Sequence, residues 1–329
     1  MGTRNGRVSE QLARTKHSLA AADGGGTEGW RGYPQAATGQ EDIERTNAHY
    51  DLPPEFFLTL TGGHWNCYSC NLWDGATTET ESQERKLDFL AELMQLRPGQ
   101  RVLDVGCGWG GPLVYLAKRY AVRGVGLMLA APQLTHAQER ARSETVDVDF
   151  RLCHWRDFED GEAFDAVYTD EVIVHFQDQL GYFKKVRGLL RKRGVMLNKE
   201  AHFASGRFFR PTAAGLVVSD IFEESGSYGL LHDELALVDQ AGFALERAVS
   251  IPIRNYKKTL EVWQANLTRS RGRLEEMVGP EQFRRYLRYL RVGRRIVAGP
   301  WMTLDIVLAR ALANGTATLP IEKVRLVAA

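Results

Sequence analysis

Cysteine is scarce in this chain: Cys67, Cys70, Cys107 and Cys153 are the only four among 329 residues. So few thiols exclude a disulfide-framed secreted scaffold and agree with a reducing compartment. An apolar run of about eighteen residues is also missing, which excludes a helix that spans a bilayer. The opening stretch "MGTRNGRVSEQLARTKHSLAAADGGG" has no apolar centre of the kind a secretory signal needs, so a cytoplasmic location is expected. An excess of either charge is absent too. The 42 basic residues meet 41 acidic ones, and a net charge of +1 gives no reason to expect a nucleic acid or an anionic membrane from totals alone. No internal repeat is visible. The remainder, 44% apolar and 25% charged, is an ordinary globular composition able to bury a sizeable core.

The texture changes along the chain. Residues 1–40, rich in Gly, Ala, Ser, Thr and Arg, read as a disordered tail. Residues 41–100 carry helical spacing, clearest in "TESQERKLDFLAELMQL", which "RPGQ" stops. From 101 to 202 strand and helix patterns alternate: "RVLDVG", "GPLVYLAKRY", "VRGVGLML", "APQLTHAQERARSE", "VDFRLC", "FDAVYTD", "QLGYFKKVRGLL" and "RGVMLNKE". That alternation predicts an α/β fold, a mostly parallel sheet with helices on both faces, which binds ligands at the carboxyl ends of its strands. Residues 203–240 read as an inserted helical cap. In 241–315, "FALERAVSI" resumes a strand, "TLEVWQANLTRSRGRLEEMV" and "EQFRRYLRYLRVGRRIVAG" are helices, and "WMTLDIVLARAL" reads as the last edge strand; 316–329 is a tail.

The stretch "VLDVGCGWGG" sets four glycines and one acid at the end of an apolar strand. Gly106, Gly108 and Gly111 satisfy the G-x-G-x-x-G spacing of a dinucleotide fingerprint. The second strand, however, ends "GVGLMLAAPQ" and offers no acid for a ribose hydroxyl. No Gly-Lys-Ser/Thr follows, so a phosphate loop fits worse. Asp104, inside the strand and just before the glycines, stands where a carboxylate would meet the cationic amino acid end of S-adenosylmethionine. A carboxylate that only braces the turn remains open on this evidence.

The blocks "AHYDLPPEFF", "CYSCNLW", "LDVGCGWGG", "GLMLAAPQ", "CHWRDF", "VHF", "YFKKVRGLLRKRGVML" and "NYKKTLEVW" occur in an informative order. Over roughly residues 41 to 310 the chain resembles the cyclopropane fatty acid and mycolic acid synthase family of S-adenosylmethionine-dependent enzymes. The resemblance implies a Rossmann-like class I methyltransferase with a seven-stranded sheet, N-terminal helices that close over the cofactor, and a cap. It also implies that Tyr68 and Ser69 close over the donor, that Gly106 and Gly108 let backbone approach it, that Gln133 serves the ribose, and that Trp155 flanks the adenine.

Methyl transfer to an alkene leaves a carbocation, which aromatic faces can stabilise. Tyr50, Phe56, Phe57, Tyr68, Trp73, Tyr256 and Trp263 lie in the matching blocks. In ring-forming members the resemblance implies a bicarbonate base, held by a glutamate in a Glu-His pair, a strand histidine, a tyrosine and the backbone of a cysteine. Here the pair reads Val174-His175, the histidine position is Lys199, and Tyr256 and Cys70 match the others. Two changes put bicarbonate in doubt. Glu171, His175, Tyr256 and Tyr50 are the catalytic candidates, with Glu200 and His202 as further bases.

Lys199, Arg207, Arg210, Arg254, Lys257 and Lys258 fall on segments expected to meet at the acceptor entrance, and arginine and lysine both suit a phosphate head group. The first expectation is therefore C-methylation of an alkene in a lipid-like or isoprenoid acceptor, with a prenyl diphosphate preferred. Alternatives are a cyclopropane synthase on an unsaturated acyl lipid, a small-molecule N-methyltransferase, and a donor-binding protein without methyl transfer. "RRYLRYLRVGRR" leaves peripheral contact with anionic lipid open, a homo-oligomer is open, and no metal is predicted from His64, Cys67 and Cys70 because a fourth ligand is missing.

Overall fold

The computed structural model describes residues 52–208 and 228–312, with positions 40, 43, 44, 46 and 47. Tyr50, Arg210, most of the expected cap and both expected tails lie outside the described residues.

Seven strands form one sheet: β1 (Arg101–Val105), β2 (Arg123–Met128), β3 (Val148–Leu152), β4 (Phe164–Asp170), β5 (Leu190–Phe203), β6 (Phe243–Ile251) and β7 (Met302–Ala311). Their spatial order is β3-β2-β1-β4-β5-β7-β6. The first five run parallel, and β7 pairs antiparallel with both β5 and β6. The expected α/β class is what the chain adopts. One strand was misjudged: "WMTLDIVLARAL" is interior, flanked on both sides, and β6 is the edge. Its long apolar run, buried on both faces, is the signature of a central strand.

Nine α-helices are described: α1 (Pro54–Thr61), α2 (Glu79–Met94), α3 (Gly111–Tyr120), α4 (Ala131–Glu144), α5 (Gln179–Leu189), α6 (Leu231–Gln240), α7 (Arg254–Arg269), α8 (Arg271–Val278) and α9 (Pro280–Val297). Alternation along the strands sorts the core into two layers. Val102, Ala166, Leu197 and Ile306 pack beneath α2, α3 and α4, through Leu87, Leu90, Leu113 and Ala137. Leu103, Val167, Met196 and Val307 face the other way, onto Tyr182, Phe183 and Val186 of α5 and Val238 of α6. Residues 231–240, read as cap, therefore belong to this layer: Val238 is buried among the sheet residues. The reading of 259–278 as one helix is corrected as well, because the chain breaks at Ser270 between α7 and α8.

A third cluster joins α1, α7, α8 and α9. Phe56, Phe57, Trp263, Phe283, Tyr286 and Leu290 fill it, and Trp109 reaches in from the loop after β1. Phe57 meets Trp109 at 5.7 Å between ring centroids and Tyr286 at 6.1 Å. The helices that carry the tyrosine and tryptophan candidates are thus anchored to the glycine loop.

His202 was a candidate base, but the structure gives it a structural post. Its two ring nitrogens lie 3.1 Å from Asp305 Oδ2 and 2.8 Å from Glu234 Oε2, tying β5 to β7 and α6. Burial alone would lower its pKa, yet the hydrogen bonds to the two carboxylates raise it to about 10. A group whose pKa rises on folding stabilises fully below its unfolded value of about 6.5 and loses that contribution as pH climbs through the folded value. The urea midpoint of the native chain should therefore fall more steeply between about pH 6.5 and 10 than that of His202→Gln, and parallel curves would remove this role.

Candidate active site

The glycine turn lies between β1 and α3, at the carboxyl end of the sheet. The amides of Gly106 and Cys107 both donate to the Leu127 carbonyl at 2.9 Å, which folds the loop back over β2. Gly106 has φ 81° and Gly108 φ 53°, in the left-handed region that a side chain disfavours. A Cβ on Gly106 would come within 2.6 Å of Val172, whereas one on Gly108 would meet nothing within 4 Å. The loop backbone is thus packed on one side and open on the other.

Asp104 lies beneath this loop rather than on its open side. It is 3% exposed and its carboxylate accepts a hydrogen bond from the Tyr168 hydroxyl at 2.5 Å. Burial pushes its pKa up to about 7. The structure thus gives Asp104 a bracing partner across the β1–β4 pair.

Gln133 and Trp155 follow β2 and β3, neighbouring strands whose ends are in register. Each is buried, and each keeps one donor, Gln133 Nε2 and Trp155 Nε1, without a hydrogen-bond partner among the described residues. Buried donors almost always find partners, so two orphans at the ligand-binding end of the sheet mark a place where an acceptor-rich molecule completes the structure. The residues present fit the adenosine part of S-adenosylmethionine. Trp155 is held by Phe176 at 5.7 Å and Tyr182 at 5.5 Å, and Arg156 stacks on it at 4.8 Å.

Beside the loop stands a cluster of buried charges. Lys86 of α2 reaches Asp170 Oδ2 at 2.7 Å and Ser69 Oγ at 2.8 Å, and Ser69 Oγ in turn donates to Asp170 at 2.7 Å. Lys199 of β5, in register with Asp170, reaches its Oδ1 at 2.7 Å and also bonds Glu171 Oε1. Both lysines are wholly buried. Burial works against their charge, but Asp170 next to Lys86, and Asp170 with Glu171 next to Lys199, raise both pKa values. The same two cations hold Asp170 well below the usual carboxylate range against its own burial. Lys86, Lys199 and Asp170 are thereby each biased toward the charged form.

Glu171 is the centre of this arrangement. Its Oε1 accepts the Cys70 amide at 2.8 Å as well as Lys199, and the Tyr256 hydroxyl bonds the same carboxylate. Its φ of 61° is unusual for a side-chain-bearing residue and stores strain where the chain leaves β4. Glu200, on the next strand, is buried and accepts the Val174 amide at 3.2 Å; burial, then the nearby Glu171 charge, push its pKa up to about 8. His175 sits on the short turn Ile173–His175.

Other predicted residues are dispersed. Lys199 is enclosed by carboxylates instead of facing an acceptor entrance. Arg254 is exposed and pairs with Asp74 at 3.0 Å, and Arg207 is exposed on the turn Gly206–Phe208. Ser69 spends its hydroxyl on Lys86 and Asp170, while Tyr68 stacks on Trp263 at 5.3 Å. Cys70 contributes its backbone, as expected, but to Glu171. A surface pocket of about 390 Å³ near Arg97, Arg191 and Arg310 lies at the opposite end of the strands, away from all of these.

The family model for mycolic acid cyclopropane synthetase matches residues 37–303. The chain belongs to this family. Cyclopropane mycolic acid synthase 1 of Mycobacterium tuberculosis is 30% identical over 267 residues, 74% of this chain and 88% of that relative. Cyclopropane-fatty-acyl-phospholipid synthase of Escherichia coli is 37% identical over 151 residues, 45% of this chain and 38% of its own length. The mycolic acid cyclopropane synthase CmaA1, solved with S-adenosylhomocysteine and CTAB, superposes with a TM-score of 0.74 at 25% identity, covering 82% of this chain and 98% of that one. The protein is an S-adenosylmethionine-dependent methyltransferase.

Bicarbonate does not fit this methyltransferase. The Cys70 amide, the Tyr256 hydroxyl and Lys199 all converge on the Glu171 carboxylate, and Val174 offers no polar side chain. The sequence reading missed Lys86 and Asp170. Their signals were a lysine on the buried face of an amphipathic helix, between Gln83 and Leu87, and adjacent acids at the carboxyl end of a parallel strand.

Two outcomes follow. Gln133→Met removes a donor that has no protein partner, so the melting temperature should hold or rise while S-adenosylhomocysteine affinity in calorimetry falls about tenfold. Lys199→Met leaves Asp170 and Glu171 short of a counter-charge and should cost about 3–5 kcal/mol in urea unfolding; a loss below about 1 kcal/mol would mean that water already screens the cluster.

Proposed function

We propose that this methyltransferase acts on a carbon–carbon double bond of an unsaturated acyl lipid, with Glu171 taking the proton that closes a cyclopropane ring. The observation that carries the reading is the fixed Glu171 carboxylate, held by the three groups the resemblance assigns to an external base. The named relatives support an acyl acceptor and ring formation. The prenyl diphosphate reading loses its support, since Lys199, Arg207 and Arg254 form no anion cradle among the described residues.

S-adenosylmethionine, when bound, supplies an electrophilic methyl, whose transfer to an alkene leaves a cationic carbon. Aromatic rings of the third cluster, with Tyr68 packed against Trp263 at 5.3 Å between ring centroids, offer quadrupoles that favour such a cation. Glu171 adds a full negative charge in a site that excludes water, where charges interact strongly. A carbocation is so strong an acid that a carboxylate accepting several hydrogen bonds still takes its proton. What the step requires is a base that does not wander, and the hydrogen bonds from Lys199, Tyr256 and the Cys70 amide supply that condition. Glu171 takes a proton from the transferred methyl group, and the electron pair of that C–H bond forms the new bond from the methyl carbon to the cationic carbon two atoms away, which closes the ring.

The test is S-adenosylhomocysteine release with unsaturated phospholipid, with proton NMR of the product. Cyclopropyl signals are expected, and Glu171→Gln should lower kcat by about 10²–10⁴-fold with donor affinity kept. Full activity in that variant, or turnover confined to a prenyl diphosphate, would overturn the reading.

A further inference from the structure

Helix α9 carries six arginines and one acidic residue on a chain whose total charge is only +1. Phe283, Tyr286, Tyr289, Leu290 and Val297 bury one side of it in the third cluster. The opposite side shows Arg284, Arg288, Arg291 and Arg295, all exposed. At 100° per residue these four fall within about 60° of one another, a straight stripe about 16 Å long. None of the four has an ion-pair partner among the described residues, although Arg101, Arg123, Arg151, Arg254, Arg271, Arg273 and Arg310 each do. Trp301 stands just beyond the end of the helix, 43% exposed, one of two large apolar side chains left in solvent among the described residues. Its ring lies across Gly299, where an added Cβ would meet it at 2.3 Å, so the indole is seated rather than swinging.

We propose that the arginine stripe of α9 and Trp301 form a docking surface for the head groups of an anionic phospholipid bilayer. The choice of partner rests on the acyl-lipid reading above. Like charges in one row repel a second copy of the same face, and a nucleic acid would call for a broader basic field than a net charge of +1 provides. A row of guanidinium groups with an interfacial indole at one end matches a phosphate-bearing surface with an apolar layer beneath it. The rigid aromatic cluster behind α9 continues to Tyr68 and Trp109, which links the docking face to the donor loop.

The experiment is co-sedimentation of the full chain with phosphatidylcholine vesicles, with and without phosphatidylglycerol, in the absence of donor. Binding should require phosphatidylglycerol and fade as salt shortens the screening length. Combined replacement R284Q, R288Q, R291Q and R295Q should weaken partitioning by about fivefold per arginine removed, Trp301→Ala should weaken it further, and the four lysine replacements should retain it. S-adenosylhomocysteine affinity should be the same in every variant, which reports folding. Equal binding of the native chain and the glutamine variant, no binding to anionic vesicles, or full displacement from them by a DNA duplex would each overturn the proposal. Vesicle binding with no turnover on any acyl lipid supports docking while sinking the acceptor reading, so the two fail separately.

Discussion

Four buried charges at the carboxyl ends of β4 and β5 hold the site together. Lys86 comes from α2, Lys199 from β5, and Asp170 with Glu171 from the end of β4, so the cluster stitches a covering helix to the sheet where ligands bind. Removing any one ion from water costs several kcal/mol, and the set is tolerable only because it is neutral in sum and hydrogen-bonded throughout. That requirement fixes the neighbours. Ser69 must turn its hydroxyl toward Lys86 and Asp170, the Cys70 amide must face Glu171, and the backbone between them is thereby set against β4.

The same constraint explains why several departures from the family pattern occur together. A lysine at position 199 would be unbearable in the core without a carboxylate to meet it, and Glu171 supplies the second one. Glu171 makes its contacts with the Cys70 amide and Tyr256 from a left-handed backbone, which is strained for any residue with a Cβ. The strain persists because three donors, one of them the buried Lys199 cation, hold the side chain in place. With the carboxylate so placed, a polar residue at Val174 has nothing left to bind there, and Glu200 instead fills the backbone contact behind it.

Much of this architecture could be read from the residues. Period-two and period-3.6 patterning separated the strands of 101–202 from their helices, and the glycine spacing with Asp104 located the loop. Edge and interior strands could not be told apart for residues 302–311, since an apolar run says that both faces are buried but not which neighbours bury them. Lys199 was misread for a similar reason. A lysine at a strand end looks like a surface anion-binder until the two carboxylates at the end of the neighbouring strand are known to enclose it. Gln133 and Trp155 were legible as residues, whereas the orphaned donors that make them informative exist only once the surrounding packing is complete.

The two clusters act on different parts of the chemistry. The charge cluster is polar, neutral in sum and closed by short contacts, so it positions one carboxylate and little else. The aromatic cluster of α1, α7 and α9 is apolar, buried, and continuous from Tyr286 through Phe57 to Trp109. An acyl chain offers nothing for directional polar recognition except at its head, so the acceptor class proposed above is compatible with aromatic faces near a single anchored carboxylate. A charged acceptor would ask for the reverse, with cations free to receive it. The buried lysines are bound to their own acids, and the free arginines stand outside on α9, at the surface rather than beside Glu171.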